Sequence, residues 1–595
     1  MYFRTHNLGE LNKSHVDKEV VLSGWVSTRR DHGGVIFIDL RDRRGITQIV
    51  FNPEVGAEAH EKAHAIRNEY VLMIKGIVKP RDEENINTNL TTGEIEVFVK
   101  ELNIINKCDV LPFEIENENV NENLRLQYRY LDLRSKKMYN NMEKRSKMLK
   151  IMRDYLDANE FLEIDTPILG KSTPEGARDF IVPSRLSEGK FYGLPQSPQL
   201  YKQILMISGM ERYYQVAKCF RDEDLRADRQ PEFTQLDIEM SFITQDEIMN
   251  TIEGLAKKVL KEITGTEVNY TFERLEYKDA MDKYGSDKPD TRFALEITDL
   301  TDIAKSCDFK VFRTIAENGG LVRGINAKNG AEKLSRKDID DLTKFVSIYG
   351  AKGLAWIKIN EDGSYTSVIT KFFKEEEVQA LVNKMEGKPG DILFFVADKA
   401  KVVYDSLGAL RLQLGERLEL INKDEYKFLW VVNFPLLEWN EDEKRYKAQH
   451  HAFTAIKEED LPLLETAPEK VRTVTYDIVL NGSEIGGGSI RIHSQEMQAK
   501  IFKLMGFSQE QAQEKFGFFL DAFKYGAPPH GGIAFGVDRF LMMMLKENSI
   551  REVIPFPKTQ KGQCLMTEAP GDVEFEQLRE LHLKLNVKKQ EEKQQ

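Results

Sequence analysis

The sequence has few cysteines and no long apolar run, and each absence removes a class of protein. Its four cysteines, Cys108, Cys219, Cys307 and Cys564, are widely scattered and form no CxxC pair. This spacing indicates neither a disulfide framework nor a cysteine-built zinc site, so we expect a reducing compartment, the cytoplasm. The longest apolar stretch, near residues 540–545, is too short to span a bilayer, and the opening MYFRTHNLGE lacks the pattern of a secretory signal. We therefore expect no membrane association.

Charge and composition further limit the possible ligands and fold of the protein. A net charge of −12 argues against indiscriminate binding to nucleic acid, although it leaves a local basic patch possible. The sequence contains no GxxxxGK[ST] phosphate-binding loop. With 41% hydrophobic and 31% charged residues, the composition is that of an ordinary globular protein, and a length of 595 residues predicts three or more domains.

The first hundred residues alternate short strand-like runs with turns. Strands are predicted at 20–26, 35–40, 46–51, 70–78 and 95–99, and a helix at 58–68. Five strands with a helix between the third and the fourth is the layout of an OB barrel. Arg30 and His32 lie between the first two predicted strands, and Phe37 lies in the second. Cations beside a flat ring suit single-stranded RNA, but Phe37 could equally belong to the barrel core and the arginines to a solvated rim.

The rest of the chain shows several changes of character. A linker-like stretch ends near residue 135, and a helix is predicted from about 135 to 158. Residues 288–420 alternate short strands and helices without dense charge clusters, which indicates an inserted α+β domain. After residue 568 the chain becomes rich in Lys, Glu and Gln, typical of a helix and a frayed tail. We predict a multidomain α+β protein with segments 1–105, 106–135, 136–287, 288–420, 421–565 and 566–595.

Three segments concentrate the chemistry. In 220–239 a charged stretch separates two strand-like runs, and the alternation Leu236, Ile238, Met240 places Asp237 and Glu239 on the opposite face. We expect two antiparallel strands with a charged loop. Segment 477–491 combines acidic groups of the kind that hold magnesium with three consecutive glycines, which could also mark a simple bulge. Segment 531–541 is a glycine-rich strand that enters a helix bearing an early arginine.

In this order, the segments resemble the motifs of class II aminoacyl-tRNA synthetases. Residues 161–169 resemble the proline-bearing motif 1 of the dimer interface, 220–239 resembles motif 2, and 532–540 resembles motif 3. Residues 172–180, 196–202 and 450–451 resemble the bacterial-type aspartyl branch. The resemblance implies an OB anticodon-binding domain at 1–105 and a hinge at 106–135. It also implies a catalytic domain built on an antiparallel sheet from 136–287 and 421–565, a bacterial-type insertion at 288–420, and a C-terminal extension.

The resemblance also implies roles for individual residues, with ATP and Mg²⁺ as substrate and cofactor. Catalysis is assigned to Arg221 and Arg539. Contacts with aspartate are assigned to Glu175, Ser197, Gln199, Lys202, Arg221, Asp237, His450, His451 and Arg491. Contacts with ATP are assigned to Arg221, Asp222, Glu223, Gln230, Phe233, Glu484, Gly536, Val537, Asp538 and Arg539. Metal binding is assigned to Asp477 and Glu484, and anticodon binding to Arg30, His32, Phe37 and Gln48.

The implied reaction is the attachment of L-aspartate to tRNA-Asp by a homodimer. His32 resembles the relaxed members that also charge tRNA-Asn, whereas strict members often carry leucine there. A sister asparaginyl or lysyl enzyme shares the architecture, but the cations Lys202 and Arg491 favour a substrate with a side-chain carboxylate. A non-catalytic tRNA-binding paralogue should have lost some of Arg221, Glu484 or Arg539, and the sequence retains all three.

Overall fold

Five strands close into a barrel near the start of the chain. The computed structural model describes residues 3–172, 177–440 and 444–586, and the chain forms two units, residues 1–139 and 140–595. The barrel elements are β1 (Glu19–His32), β2 (Val35–Asp42), β3 (Gly45–Phe51), α1 (Ala57–Ala63), β4 (Val71–Pro80) and β5 (Ile95–Asn106). Neighbouring strands follow the order β1-β2-β3-β5-β4. The predicted OB barrel is confirmed.

Two details of the barrel differ from the prediction. The charged stretch after residue 26 continues β1 as far as His32, where Arg30 pairs with Phe37 and His32 with Val35. Gly33 and Gly34 both have positive φ, 60° and 83°, and such a two-residue turn lets the arms of a hairpin stay paired. The helix predicted at 58–68 ends at Ala63, because a turn follows in which Arg67 donates to the backbone oxygens of His64 and Ile66.

The second unit is built around one eight-stranded sheet. The chain reaches it through α2 (Glu122–Gln127), α3 (Arg129–Asp132) and α4 (Lys136–Ala158). Next come β6 (Leu162–Glu163), β7 (Ile181–Pro183), β8 (Phe191–Gly193), α5 (Gln199–Ile207), β9 (Arg212–Phe220), β10 (Glu232–Ser241), α6 (Gln245–Thr264), β11 (Glu273–Glu276) and α7 (Tyr277–Tyr284). β9 and β10 pair antiparallel, with Phe220 opposite Glu232, so the predicted charged hairpin is confirmed.

The predicted insertion is a five-stranded antiparallel sheet covered by helices. Its elements are β12 (Ile297–Asp299), α8 (Thr301–Ser306), α9 (Lys310–Glu317), β13 (Leu321–Ala327), α10 (Gly330–Lys333), α11 (Arg336–Ser347), β14 (Ala355–Ile359), β15 (Tyr365–Thr366), α12 (Glu375–Lys384), β16 (Ile392–Asp398) and α13 (Ala400–Arg417). The strand order is β12-β13-β16-β14-β15. Arg411, buried on α13, donates to the backbone oxygens of Asp290, Phe293 and Leu295, and burial lowers its pKa to about 10.

The chain then returns to complete the large sheet. The remaining elements are β17 (Phe428–Val432), β18 (Leu437–Asn440), β19 (Arg445–Ala448), β20 (Thr475–Leu480), β21 (Ser483–Ile490), α14 (Gln495–Leu504), α15 (Gln509–Ala522), β22 (His530–Gly536), α16 (Val537–Met544) and α17 (Phe575–Glu580). The predicted tail at 588–595 lies outside the described residues. No helix within the described ranges is both long and apolar enough to cross a bilayer.

The sheet order β11-β17-β20-β21-β22-β10-β9-β6 places the three predicted motifs side by side. β10 pairs with β22 on one edge and with β9 on the other. Leu236, Ile238 and Met240 pack into the main core together with residues of α4, α6 and α16. The intervening residues of β10 therefore face the other side of the sheet, as the alternation predicts.

Candidate active site

The centre of the sheet holds a cluster of buried charges. Lys202 on α5 lies 3.1 Å from Asp237 and 3.5 Å from Glu239, both on β10. Arg491, which follows β21, makes a two-point ion pair with Glu239, with Nε to Oε1 at 2.9 Å and Nη2 to Oε2 at 3.1 Å. These four side chains are buried. Two cations are thus balanced by two carboxylates, which is what burial of charge requires.

The two carboxylates of the cluster have opposite pKa shifts. Burial raises the pKa of Asp237, although Lys202 acts against this shift. Burial acts on Glu239 in the same direction, but Arg491 and Lys202 outweigh it, and the pKa of Glu239 lies below its ordinary value. Glu239 therefore stays ionised and holds the two cations in place.

Ser489 and His451 provide further hydrogen-bond partners for Arg491. Arg491 Nη1 lies 2.8 Å from Ser489 Oγ and 2.6 Å from His451 Nε2. A guanidinium only donates, so Nε2 accepts, while Nδ1 lies 3.2 Å from the backbone nitrogen of Phe453 and 3.3 Å from Thr454 Oγ1. Burial and the adjacent Arg491 hold the pKa of His451 well below its ordinary value, and the ring is neutral. Four of the five N–H groups of Arg491 are then occupied, and one on Nη2 remains.

The cluster lies against a cavity of about 760 Å³. Arg221, Arg539, Lys202 and Arg491 all line this cavity, although they belong to different segments of the chain. Several buried polar atoms at or beside it have no hydrogen-bond partner among the described residues: Arg221 Nε, Arg539 Nε, Gln199 Nε2, Asp237 Oδ2 and His450 Nε2. Buried polar groups are normally paired, so this set indicates a site for a polar, charged ligand.

The arginines of the predicted motifs 2 and 3 both line this cavity. The Arg221 guanidinium is 5.1 Å from the centroid of the Phe233 ring. Arg539 donates to the backbone oxygen of Glu484 at 2.7 Å and lies 3.3 Å from Asp228. Gln230 is fixed by two bonds with the backbone of Lys558, at 3.0 and 2.7 Å.

Two glycines make room for carboxylates. A Cβ on Gly532 would lie 1.9 Å from Glu239 Oε2, and one on Gly487 would lie 2.7 Å from Asp477 Oδ1 and 3.5 Å from Glu484 Oε1. The run 486–488 belongs to β21 inside the sheet, and the register shift of β20 with β21 lies between Ile478 and Val479. These glycines therefore permit close approach, rather than marking only a bulge.

Asp477 and Glu484 converge beside Gly487. Burial, and then the neighbouring Glu484, raise the pKa of Asp477 well above its ordinary value, and Asp477 Oδ1 has no hydrogen-bond partner among the described residues. Hard carboxylate oxygens are the donor type that magnesium takes, so the pair fits the ion. Within the described ranges, no group of three or more His, Cys, Asp or Glu side chains is arranged to hold a metal. An ion at this pair would need ligands from substrate or water as well.

The remaining sequence-predicted site residues fall into three groups. The cavity lining includes Ser197, Gln199, Glu223, Gln230, Phe233, His450, His451, Glu484, Gly536 and Asp538. Asp237 and Asp477 are buried beside it, whereas Asp222 is a partly exposed residue whose backbone pairs with Arg178, and Val537 belongs to the main core. Glu175 lies outside the described residues.

Asp538 is tied to the protein itself. Its carboxylate accepts from the backbone N–H of Thr234 at 2.7 Å and pairs with Arg145 of α4. It therefore fixes the helix that carries Arg539.

The predicted anticodon residues lie on the outer surface of the barrel. Burial alternates along β2, with Ile36 and Ile38 in the core, so the half-buried Phe37 faces outward and the barrel-core interpretation is wrong. Arg30 lies 2.9 Å from Asp39 and 3.3 Å from Gln48, and Gln48 donates to Glu96 at 2.9 Å. His32 ends β1, next to the glycine turn.

The comparisons with known proteins agree with this geometry. A family model described as "tRNA synthetases class II (D, K and N)" matches residues 121–560, which is most of the chain. The chain belongs to this class II family. A second model, "OB-fold nucleic acid binding domain", matches residues 20–105 of this synthetase.

Similar proteins share nearly the whole length of the synthetase. Proteins named aspartate–tRNA(Asp/Asn) ligase from Bacillus thuringiensis (strain Al Hakam) and Bacillus cereus (strain AH820) are 57% identical over 588 residues, covering 99% of each chain. One of the same name from Desulfatibacillum aliphaticivorans is 56% identical over 583 residues, covering 98% of each chain.

Solved synthetases share its fold. Asparaginyl-tRNA synthetase from Pyrococcus horikoshii, complexed with asparaginyl-adenylate, aligns with TM-score 0.58 at 19% identity, covering 94% of this chain and 99% of that one. The Entamoeba histolytica asparaginyl enzyme with the same ligand aligns with TM-score 0.57 at 19% identity, covering 92% and 98%.

Some residues that shape the synthetase site were not singled out from the sequence as site residues. Glu239 was predicted to share a face with Asp237 but was given no role, and the structure places it between Lys202 and Arg491. Glu96 had no local signal, because it approaches Gln48 only when β3 pairs with β5. Gly532 could have been found from its position opposite a buried carboxylate only once the register of β10 and β22 was known.

Proposed function

We propose that this chain is an aspartate–tRNA ligase. It activates L-aspartate with ATP to form aspartyl-adenylate and pyrophosphate, and then transfers aspartate to the 3′ end of tRNA-Asp. The observation that carries the proposal is the meeting of Lys202, Arg491, Arg221 and Arg539 on one cavity. Two of these cations suit a dianionic amino acid, and the other two suit a phosphate chain.

The aspartate pocket uses the buried charge cluster. The remaining N–H of Arg491 and the Lys202 ammonium take the side-chain carboxylate of the substrate, and the unpaired Asp237 Oδ2 accepts from its ammonium group. Ser197 and Gln199 also contact the ammonium group of the substrate. His450 and Glu175 are further contacts of the bound aspartate. Asparagine replaces one carboxylate oxygen with an NH₂ group, which cannot accept from the remaining N–H of Arg491 or from Lys202, at a cost of about 1–3 kcal/mol for the donor left without an acceptor.

The nucleotide end positions ATP without a protein nucleophile. Phe233 stacks on the adenine, Glu223 and Gln230 contact the nucleotide, and Arg221 spans the substrate carboxylate and the α-phosphate. Arg539 holds the far phosphates, while Gly536 allows close approach and Asp222, Val537 and Asp538 fix the surrounding backbone. The substrate carboxylate attacks the α-phosphorus in line and pyrophosphate leaves, so positioning and charge neutralisation account for the rate.

Asp477 and Glu484 are the residues that would hold Mg²⁺. Their convergence at Gly487 and the unpaired Asp477 Oδ1 support this assignment. When bound, the ion would neutralise phosphate charge. The protein holds the two carboxylates close to Arg539, which we propose to bind the phosphates.

The barrel binds the anticodon, through Arg30, His32, Phe37 and Gln48. The relatives named for both tRNA-Asp and tRNA-Asn support a relaxed specificity, and so does His32, because a histidine can pair with bases in more than one way. Aminoacylation of the two tRNAs by the purified enzyme tests this specificity. We expect both to be charged, and failure to aspartylate tRNA-Asn would show that the enzyme is not relaxed.

The enzyme acts as a homodimer in the cytoplasm, where its tRNA substrates serve the ribosome. Exposed apolar side chains on and after the motif 1 segment support the dimer: Leu162, Ile168, Leu169 and Ile181 are each at least half exposed. Large apolar side chains exposed in one segment are typical of a protein interface. Sedimentation should give twice the mass of one chain.

The activity test is amino-acid-dependent exchange of pyrophosphate with ATP. The wild type should exchange with aspartate and not with asparagine or lysine, and exchange with either of these instead would assign the chain to a sister enzyme. Arg491→Leu should abolish aspartate-dependent exchange. Arg274→Leu, which removes an exposed arginine paired with Asp246, is the matched control and should retain it. Near-normal exchange in Arg491→Leu would overturn the proposed pocket.

A further inference from the structure

Arg539, the cation that we propose to hold the far phosphates of ATP, is paired with a carboxylate of the protein itself. Its Nη2 lies 3.3 Å from Oδ2 of Asp228, and its Nη1 donates to the backbone oxygen of Glu484 at 2.7 Å. The buried Nε has no hydrogen-bond partner among the described residues. A guanidinium binds carboxylate and phosphate oxygens through the same kind of charged hydrogen bond. Asp228 therefore offers Arg539 the same chemistry as a phosphate.

The backbone holds Asp228 close to the helix that carries Arg539. Asp228 lies in a turn of residues 226–229, in which the backbones of the first and the last residue pair. The backbone oxygen of Ala227 in this turn accepts from the N–H of Ile550 at 2.9 Å, in the segment that follows α16. The backbone of the turn is thus fixed, and the Asp228 carboxylate can leave Arg539 by rotation of its side chain alone.

The pair between Asp228 and Arg539 is open to water. The Asp228 side chain is 46% exposed and the Arg539 side chain is 27% exposed, whereas Arg491 and Glu239 are buried. Solvent screens an exposed ion pair, so such a pair is weak. A polyphosphate brings several charged oxygens to the same guanidinium. A nucleotide is therefore able to displace Asp228.

A second pair of the same loop involves another proposed nucleotide contact. Arg229 Nη1 lies 3.3 Å from Oε2 of Glu223, and both of these side chains are also partly exposed. Together with Asp228 and Arg539 they line the cavity. Two side chains assigned to ATP, Glu223 and Arg539, are thus both paired with charged groups of the loop between β9 and β10.

We propose that Asp228 is a positioning residue that competes with the far phosphates of ATP for Arg539. Without nucleotide, its carboxylate holds the guanidinium at the cavity. ATP displaces this carboxylate, which returns to Arg539 when pyrophosphate leaves. Both ATP and pyrophosphate are bound less tightly than they would be without Asp228, and this favours release of pyrophosphate after activation. The inference rests on the proposed function, because it concerns the nucleotide end of the same site.

The first experiment measures binding of ATP, pyrophosphate and AMP by calorimetry, without aspartate and with Mg²⁺ present. Asp228→Asn should lower Kd for ATP and for pyrophosphate by about two- to fivefold, which is the effect of removing one partly exposed ion pair. Kd for AMP, which lacks the far phosphates, should not change. Asp224→Asn is the matched control, because it removes the same charge from an exposed, cavity-lining residue of the same loop, and its gain should be smaller. Unchanged or weaker binding of ATP by Asp228→Asn, or an equal gain in the control, would overturn the proposal.

The second experiment determines whether Asp228 acts through Arg539. In an Arg539→Leu background the guanidinium is absent, so addition of Asp228→Asn should leave Kd for ATP unchanged. A gain in affinity that persists without Arg539 would show that the Asp228 carboxylate repels ATP directly. Competition for the guanidinium would then be wrong.

Failure of the proposed function would give a different pattern. If the wild type bound ATP but showed no aspartate-dependent exchange, the aspartate assignment would end, whereas the two binding experiments would still decide the role of Asp228. If the wild type bound neither ATP nor pyrophosphate, both proposals would be wrong.

Discussion

Arg491 and Glu239 form a two-point ion pair, and both side chains are buried. The orientation of the Arg491 side chain at the cavity is therefore fixed, because its Nε–H and one Nη2–H donate to Glu239. Lys202 shares the same carboxylate. Glu239 thus orients both cations that we propose to bind the aspartate side chain.

Glu239→Gln should lower both stability and aspartate binding. Loss of one partner of a buried pair leaves uncompensated charge and costs about 3–5 kcal/mol. We expect a lower urea midpoint and a higher KM for aspartate than in the wild type. Asp154→Asn, which removes an exposed partner of Lys150, should change stability by no more than about 0.5 kcal/mol. If Glu239→Gln were as stable as this control, the ion pair would make no measurable contribution to the free energy of unfolding.

Arg145 should act on the nucleotide end through Asp538. It pairs with the Asp538 carboxylate and donates to Thr234 Oγ1 at 3.0 Å, and these two residues adjoin Arg539 and Phe233. Arg145→Leu leaves Asp538 buried without its cation, so stability should fall by about 3 kcal/mol and KM for ATP should rise more than KM for aspartate.

Addition of Asp538→Asn to Arg145→Leu should recover part of the stability, because the unpaired charge is removed. Calorimetry of the single and double variants checks this. Additive losses would show that the two groups act independently.

Binding of Mg²⁺ should depend on the carboxylate pair. Removal of divalent ions by a chelator should stop pyrophosphate exchange, and added Mg²⁺ should restore it. Asp477→Asn should raise the Mg²⁺ concentration needed for half-maximal exchange, because one charged ligand is lost. Asp302→Asn, at an exposed site, is the control. An unchanged Mg²⁺ requirement in Asp477→Asn would place the ion elsewhere.

His530 should make stability depend on pH. Burial lowers its pKa below the ordinary value, so the unfolded chain takes up a proton at higher pH than the folded one. The contribution of His530 is complete above the unfolded pKa of about 6.5 and is lost as pH falls through that value toward the folded pKa, with a slope of at most about 1.4 kcal/mol per pH unit. Urea unfolding of the wild type and of His530→Gln across this range should give the shallower slope in the variant. Parallel slopes would contradict the assignment.

His60 should support the Gly33–Gly34 turn, next to the proposed anticodon-binding residue His32. Its Nε2 lies 2.8 Å from the Gly34 backbone oxygen, and a carbonyl only accepts, so His60 donates to the turn beside His32. His60→Ala should raise KM for tRNA by about 2- to 10-fold, the value of one hydrogen bond, and leave pyrophosphate exchange unchanged. His60→Gln, which keeps a donor, should recover part of the loss. A parallel fall in exchange would indicate general damage instead.

The extent of sequence-based prediction differs from element to element. Periodicity predicted the barrel strands and the β9–β10 hairpin, because alternation of buried residues is a local property. It missed that β1 continues to His32, since this depends on the pairing that Gly33 and Gly34 allow. Resemblance to family motifs supplied the candidate residues, yet it gave Asp538 a ligand-binding role, whereas the structure gives its carboxylate protein partners.

The sequence by itself determined which groups are present: the class II motifs, the cations at 202, 221, 491 and 539, and the alternation that separates core from site along β10. Only the tertiary structure decided which charges neutralise one another, because Lys202, Glu239 and Arg491 are far apart in the chain and meet across the register of three strands and a helix. The energy of a buried charge depends on the distance to its partner and on exclusion of water, and neither is set until the sheet has formed.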